Sequence, residues 1–154
     1  MSKVTKNLIV AFAISVAMTG NVFAKTRDVA TEESNRKLVV EFYEAFFNQH
    51  DTSRATELVA EDYRQHNPEV PDGRKPFLEY FTDFFKGNPQ SRARVIRSAA
   101  DGDLGWLHVH ATNGPDDRGQ VVIDIFRVKN GKIVEHWDVI QEVPESPANT
   151  NSMF

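Results

Sequence analysis

The sequence predicts an α+β fold in which three helices pack on one face of a curved, mostly antiparallel sheet. Apolar residues recur at helical spacing in three segments between Asn35 and Lys86, whereas after Pro89 they alternate with a period of two. Turn-forming Asp-Gly-Asp at 101–103 and Asn-Gly at 130–131 separate the alternating segments, which is typical of hairpin-linked strands. We therefore expect one domain, with the helices covering the sheet and leaving a cavity between them.

The first 24 residues are predicted to be a secretory signal peptide. Lys3 and Lys6 precede the apolar run Leu8–Met18, and a cleavage region with small residues ends at Ala24. The run is short for a transmembrane helix, which needs about 20 apolar residues. We expect cleavage after Ala24 and a periplasmic or secreted protein, with an uncleaved N-terminal anchor as the alternative.

The composition restricts the chemistry and the partners. The chain contains no cysteine, which excludes disulfides, thiol chemistry, iron–sulfur clusters and Cys-ligated zinc. The formal net charge is −4, and the predicted signal peptide contributes only positive charge, so the remaining domain is more acidic still. This charge argues against nucleic acid and anionic membrane surfaces as partners. The partners that we expect are a small hydrophobic molecule and a second copy of the chain.

The helical half begins after a polar segment. Residues 25–33 are predicted to be a flexible tail, followed by a domain that spans residues 34–143. Ser34 is a candidate N-cap, and Pro76 fits the first turn of the third helix because no backbone N–H is needed there. The three predicted helices are Asn35–Asn48, Ser53–Ala60 and Arg74–Lys86.

The second half is predicted to form four strands. A short extended segment, Tyr63–His66, precedes the third helix. Asn-Gly at 130–131 is the strongest short hairpin signal, because both residue types accept the positive φ of a tight turn. Residues 144–154 are predicted to be a disordered tail. The four predicted strands are Arg92–Ala100, Leu104–Thr112, Gln120–Val128 and Ile133–Val143.

One hairpin carries a polar constellation. Alternation along the strand places Trp106, His108 and His110 on one face. Asp124 lies among apolar residues of the next strand, where an unpaired carboxylate would be costly. We therefore expect either a raised pKa for Asp124 or a histidine partner, and the hairpin makes His110 the candidate partner. Such a pair fits either acid/base chemistry near neutral pH or a buried hydrogen-bond network, and the spacing leaves both open.

The last strand leaves a further choice open. His136 and Asp138 share one face, whereas Trp137 and Gln141 share the other. Only one of these sets can face a cavity in a regular strand, and the sequence does not decide between them.

A metal site is an alternative interpretation of the histidines. His-x-His at 108 and 110, with a further histidine and a carboxylate, is a ligand pattern of non-heme iron and zinc sites. All-β barrels carry that pattern, however, and the helical first half argues against such a barrel. We therefore expect neither a metal nor another cofactor.

Three segments carry a family resemblance. "YRQHNP", "HVHATN" and "VIDIFRVKNGKIVEHWDVIQ", with the order of three helices before the sheet, resemble the SnoaL-like polyketide cyclases. These belong to the cone-shaped α+β barrel superfamily that includes nuclear transport factor 2, ketosteroid isomerase and limonene epoxide hydrolase. The resemblance covers residues 35–143 and implies an NTF2-like, cone-shaped barrel with a hydrophobic pocket.

The resemblance also implies a site. In the cyclases, an aspartate on a late strand is the acid/base of an intramolecular aldol ring closure. The matching catalytic positions are Asp124, His110 and His108 on the preceding strand, and His66 near the first strand. Substrate-binding side chains are expected at Tyr63, Trp106, Phe126, Trp137 and Asp138.

The resemblance implies a cofactor-independent cyclase, isomerase or hydrolase that acts on a small apolar carbonyl compound. The alternative is a non-catalytic periplasmic module that binds a small molecule, because this scaffold carries both kinds of protein.

Overall fold

The computed structural model describes residues 26–154, so the predicted signal peptide lies outside the described residues. None of the helices in this range is long and apolar enough to cross a bilayer. The helices are α1 (Val29–Tyr43), which continues as a π-helical turn (Glu44–Asn48), α2 (Thr52–Leu58) and α3 (Arg74–Gly87). The strands are β1 (Val59–Gln65), β2 (Arg92–Asp101), β3 (Leu104–Thr112), β4 (Gln120–Lys129) and β5 (Lys132–Glu142).

The five strands form one mixed sheet in the order β1-β5-β4-β3-β2. β1 pairs with β5 in parallel, and the other three pairings are antiparallel. The sheet does not close, because β1 and β2 remain its edges. α1 packs on β2 and β3, and α3 packs on β1. The predicted α+β class, with three helices on a mostly antiparallel sheet, is confirmed.

The first helix includes residues 29–33, so the prediction of a flexible tail is wrong for these residues. The carboxylate of Asp28 caps the helix by accepting hydrogen bonds from Thr31 N at 3.1 Å and Thr31 Oγ1 at 2.6 Å. Glu32 is buried and accepts a hydrogen bond from the backbone N–H of Gly102 at 3.1 Å. Contacts with the β2–β3 turn therefore order a segment that is polar in sequence.

Aromatic side chains fill the space between α1 and the sheet. Phe42 and Phe46 are fully buried and stack with ring centroids 5.4 Å apart, and Phe126 of β4 meets Phe42 edge-on at 5.7 Å. α1 approaches β3 closely at Gly105, where a Cβ atom would lie 2.8 Å from a methyl group of Val39. Because this position has no side chain, the helix can pack directly against the strand.

The β3–β4 hairpin has a register that separates His110 from Asp124. Leu107 lies directly opposite Asp124, so these two side chains share one face of the sheet. This is the inner face, on which the helices pack, and His110 points to the opposite, outer face. The long loop after β3 ends at Gly119, whose φ is 76°. A Cβ atom there would lie 2.1 Å from the carbonyl oxygen of Ala111, so the loop requires glycine at this point.

The β4–β5 hairpin begins with the predicted tight turn. Asn130 and Gly131 have φ values of 53° and 70°, as the Asn-Gly signal predicts. If the pairing continued without interruption from this turn, Trp137 would lie opposite Asp124 and would share its face.

The register instead shifts by one residue just after the turn. Val134 is an extra residue on β5, because the residues of β5 that pair with neighbouring positions of β4 change from Ile133 to Glu135. A shift of one residue reverses the face of every side chain that follows. His136 and Asp138 therefore face the helices, which decides the choice that the sequence leaves open.

Candidate active site

A cavity of about 360 Å³ lies between the helices and the inner face of the sheet. This volume lies within the range of small-molecule sites. Its helical wall is aromatic and includes Phe42, Tyr43, Phe47, Phe77, Tyr80 and Phe81. Its sheet wall carries neighbouring polar side chains from β1, β4 and β5, namely Gln65, Asp124, His136 and Asp138.

Asp124 lies at the bottom of the polar wall and is only 3% exposed. The hydroxyl of Tyr43 donates a hydrogen bond to Asp124 Oδ2 at 2.8 Å, and His136 Nε2 lies 2.8 Å from Asp124 Oδ1. Burial, with the nearby Asp124 carboxylate, raises the pKa of Tyr43 well above its ordinary value, so the hydroxyl stays protonated. Both oxygens of Asp124 are therefore engaged within the fold.

The other ring nitrogen of His136 contacts β1. His136 Nδ1 lies 2.7 Å from Gln65 Oε1, because His136 and Gln65 are partners in the parallel β1–β5 pairing. The backbone N–H of Asn67 donates to the same oxygen at 3.0 Å. The Gln65 amide nitrogen donates to the hydroxyl of Tyr63 at 3.3 Å. A continuous hydrogen-bonded chain thus joins α1, β4, β5 and β1.

Asp138 is the carboxylate that faces the cavity. It lies directly opposite Asp124 on the inner face and is half-buried. The side-chain amide of Asn67 donates to Asp138 Oδ2 at 2.8 Å. Within residues 26–154, this is the one hydrogen bond to the Asp138 carboxylate, so Oδ1 is free to meet a ligand.

Asp124, His136 and Asp138 could also hold a metal ion. One ligand atom from each lies within 4.8 Å of the other two, and each side chain is hydrogen-bonded from behind, as metal ligands commonly are. The contact of 2.8 Å between His136 Nε2 and Asp124 Oδ1 is, however, already a complete hydrogen bond. The geometry is thus also that of a proton-sharing pair, which needs no ion.

The predicted partnership of Asp124 with His110 is wrong. His110 is on the outer face, where its Nε2 donates to the carbonyl of Arg118 at 2.9 Å. His108 is on the same outer face, and its Nδ1 accepts from Arg97 at 2.8 Å. Neither histidine lines the cavity, because the parity of the β3–β4 pairing turns both away from Asp124. The partner of Asp124 is His136.

Three further candidates lie outside the cavity. His66 is hydrogen-bonded to Glu135 at 2.9 Å and stacks on Trp137 with ring centroids 4.6 Å apart. Trp137 lies on the outer face because of the extra residue in β5, and Arg127 covers its ring at 5.5 Å. Trp106 is also on the outer face and is 37% exposed. The predicted pocket positions of these three residues are therefore wrong.

The other predicted substrate-binding residues, Tyr63, Phe126 and Asp138, line the cavity. Sequence reasoning missed Tyr43 and Gln65, which hold Asp124 and His136 in place. Tyr43 is one more member of an apolar helical stripe, and Gln65 falls in a short extended segment for which the sequence predicts no partner strand. Burial beside Asp124 marks Tyr43, and the hydrogen bond to His136 marks Gln65; both contacts are visible only in three dimensions.

The fold and the site define a class, namely open α+β cones whose helices and sheet enclose an aromatic cavity with carboxylates on its wall. The sequence model of the SnoaL-like domain matches residues 39–136, and the chain belongs to this family. No curated protein sequence matches the chain.

Solved structures agree with this assignment. Wild-type IdmH from Streptomyces antibioticus, a proposed polyketide cyclase, is 26% identical, with a TM-score of 0.57 over 69% of this chain and 91% of its own. A proposed ketosteroid isomerase from Kribbella flavida is 25% identical, with a TM-score of 0.62 over 77% and 85% of the two chains. A proposed SnoaL-like polyketide cyclase from Jannaschia, only 16% identical, supports the fold alone, with a TM-score of 0.63 over 76% and 91%.

Proposed function

We propose that this protein is an exported, cofactor-independent acid/base enzyme that acts on a small, largely apolar carbonyl compound. The observation that carries the proposal is the position of Asp138, which presents a carboxylate oxygen to an aromatic cavity beside the buried pair of Asp124 and His136. The structural likeness to proposed cyclases and isomerases supports the same reaction class.

The reacting carboxylate in this proposal is Asp138 rather than Asp124. Both oxygens of Asp124 are hydrogen-bonded within the fold, so a substrate proton could reach it only after one of these bonds breaks. Asp138 Oδ1 faces the cavity without such a constraint. Asp124 and His136 then lie behind Asp138 and fix the electrostatic environment in which it reacts.

The chemistry follows from these positions. Asp138 takes a proton from the carbon next to a carbonyl group, and the substrate becomes an enolate. The hydroxyl of Tyr63 lines the cavity and accepts from Gln65, so its own proton can be donated to the enolate oxygen. In a cyclisation, the enolate carbon attacks a second carbonyl, one C–C bond forms, and the new alkoxide takes the proton back from Asp138. No redox step is involved, so no electron donor or acceptor is required.

Solvent exchange tests the first step directly. We expect the protein to accelerate hydrogen–deuterium exchange at the α-carbon of β-tetralone, an apolar bicyclic ketone, in D₂O followed by NMR. Asp138→Asn keeps the shape of the side chain but cannot accept the proton, and it should lower the rate by about 10²-fold to 10⁴-fold. The matched control is Asp116→Asn, an exposed aspartate in the loop after β3, which should leave the rate unchanged.

The same experiment separates the enzyme from the binding module. A wild-type rate that Asp138→Asn leaves unchanged would contradict the assignment of the base. Saturable binding of apolar ketones without any exchange, over a panel that varies ring size and carbonyl position, would instead identify a non-catalytic binding protein.

Export is part of the proposal and has its own support. The basic start, apolar run and small-residue exit of the first 24 residues have the organisation of a signal peptide. N-terminal sequencing of the exported product is expected to begin at Lys25. A product that retains the apolar run would contradict cleavage. The acidic charge of the chain further supports a mature protein without nucleic-acid or membrane partners.

We also propose a homodimer formed through the outer face of the sheet. Ile123 and Val139 are cross-strand neighbours there and are 38% and 71% exposed, and Trp106 lies on the same face. Exposed apolar side chains in a contiguous group commonly mark an interface. Light scattering should give twice the monomer mass, and Val139→Asp should shift it to the monomer. Val29→Asp, at an equally exposed valine on α1, is the matched control.

A further inference from the structure

The side-chain amide of Gln65 has an orientation that can be assigned from its neighbours. An amide oxygen and an amide nitrogen have similar shapes, so their positions follow from the hydrogen bonds that they make. The backbone N–H of Asn67 lies 3.0 Å from one end of the Gln65 amide, and a backbone N–H can only donate. The oxygen must therefore be at this end, and the amide nitrogen points to the hydroxyl of Tyr63.

This orientation determines the proton on one nitrogen of His136. His136 Nδ1 lies 2.7 Å from the same Gln65 oxygen, which can only accept. Nδ1 must therefore carry a proton and donate it to Gln65. If Nδ1 were unprotonated, two lone pairs would face each other at hydrogen-bonding distance in a buried place, which is strongly unfavourable.

The opposite nitrogen of His136 then faces a carboxyl group in a defined way. Nε2 lies 2.8 Å from Asp124 Oδ1, and Tyr43 already donates to the other oxygen. With Nδ1 protonated, a neutral ring has a lone pair on Nε2, and this lone pair requires a proton on Asp124. If the proton instead lies on Nε2, the ring is an imidazolium and Asp124 is a carboxylate. In both cases one additional proton lies between the two side chains.

We propose that Gln65 is a positioning residue, which holds the His136 proton on Nδ1 and thereby keeps one transferable proton between His136 Nε2 and Asp124 Oδ1, beside the cavity-facing Asp138. The state of the ring follows from the hydrogen bonds alone. The consequence for catalysis rests on the proposed function, in which this proton balances the charge of Asp124 and leaves Asp138 as the anionic base of the polar wall.

Nitrogen NMR of the purified protein labelled with ¹⁵N-histidine tests the state of the ring without any substrate. The signals of His136 are assigned as those that disappear in His136→Gln. We expect a protonated Nδ1, in either the neutral or the imidazolium form, because the Gln65 oxygen can only accept. A neutral ring with its only proton on Nε2 would overturn the proposal.

Two substitutions of Gln65 separate positioning from packing. Gln65→Glu still accepts from His136 Nδ1 and from Asn67 N, so it should preserve the Nδ1 proton. Gln65→Leu has no acceptor, so the ring should move its proton to Nε2, where it donates to an ionised Asp124. The NMR spectra of the two variants should differ accordingly, and identical ring states in both variants would exclude a positioning role.

The exchange reaction supplies the catalytic readout. Gln65→Leu should lower the exchange rate by about 10²-fold, and Gln65→Glu should recover most of the loss. If the wild-type protein shows no exchange, the proposed function fails while the wild-type NMR spectrum still decides the state of His136. If exchange is present and insensitive to Gln65→Leu, the catalytic part of this inference fails while the proposed function stands.

Discussion

His136 and His110 lie in the same sheet, two strands apart, but have opposite surroundings. His136 is on the inner face and is only 7% exposed. Its two ring nitrogens are hydrogen-bonded to the side chains of Asp124 and Gln65. His110 is on the outer face, where it donates to a loop carbonyl and packs against Phe154, with ring centroids 4.2 Å apart.

His108 resembles His110 rather than His136. It is partly exposed on the outer face and accepts a hydrogen bond from Arg97. The comparison teaches that the register of the strands, and not the residue type, decides which imidazoles can take part in chemistry inside the cavity. Side chains that look equivalent along the sequence therefore differ in what they contribute to the stability of the fold and in their access to the cavity.

The largest expected difference between the two faces is in stability. His136→Ala removes one partner of a buried pair and leaves Asp124 without it, so the free energy of unfolding should fall by about 3–5 kcal/mol. His110→Ala on the outer face should cost less than about 1 kcal/mol. Urea unfolding followed by circular dichroism measures both, and equal losses would contradict the contrast between the faces.

A smaller loss is expected at the other oxygen of Asp124. Tyr43→Phe removes the hydroxyl that donates to Oδ2, which leaves a buried acceptor without its donor and should cost about 1–3 kcal/mol. Tyr80→Phe is the matched control, because Tyr80 is 41% exposed. If both substitutions have the same effect on urea unfolding, the hydrogen bond to Asp124 contributes nothing to stability.

Alkaline pH should lower the free energy of unfolding through two buried tyrosines beside the cavity. Burial, with the charge of Asp124, raises the pKa of Tyr43 and of Tyr63 well above the usual value. Below about pH 10 both states keep these protons, and the contribution to stability is fully present. As the pH rises above this value, the unfolded chain releases the protons while the folded chain retains them, so the free energy of unfolding decreases.

Urea unfolding at about pH 8 and about pH 11 measures this decrease, which Tyr43→Phe should reduce. Tyrosinate absorbance from Tyr43 and Tyr63 should appear only together with unfolding. Ionisation of both residues in a chain that retains its native circular dichroism would contradict the role of burial.

The smallest expected effect is that of metal removal. Because the nearest group to His136 Nε2 is Asp124 Oδ1 and a proton lies between them in the proposed arrangement, chelation with EDTA should leave the exchange rate unchanged. Elemental analysis of the purified protein is the accompanying measurement. Stoichiometric zinc, iron or manganese, together with loss of activity after chelation, would instead identify Asp124, His136 and Asp138 as ligands.

Much of the fold could be predicted from the sequence, because strand alternation and tight turns depend only on residues that are neighbours in the chain. The alternation in Leu104–Thr112 gives the bounds of β3 as the structure has them, and the Asn-Gly turn follows from the φ values that its residues accept. The start of α1 was missed because the buried contact of Glu32 with Gly102 joins positions far apart in the sequence.

The site could be predicted only in part, because it depends on how different strands are aligned with one another. Alternation states which residues of one strand share a face, but it does not state which face of the neighbouring strand they join. That parity depends on the loop that ends at Gly119 and on the extra residue at Val134, and neither leaves a periodic signal. The sequence therefore indicates that Asp124 needs a partner, but the pattern favours His110, whereas the partner in the structure is His136.

Val134 makes the character of the cavity depend on a single unpaired residue as well as on composition. If this bulge were lost while the length of β5 stayed the same, Trp137 would replace Asp138 opposite Asp124, and His136 would turn to the outer face. Deletion of Val134 would instead keep His136 and Asp138 in place, because the rest of β5 would follow the turn in its present pairing with β4. One strand can thus present either of two walls to a ligand, and a residue that does not line the cavity selects between them.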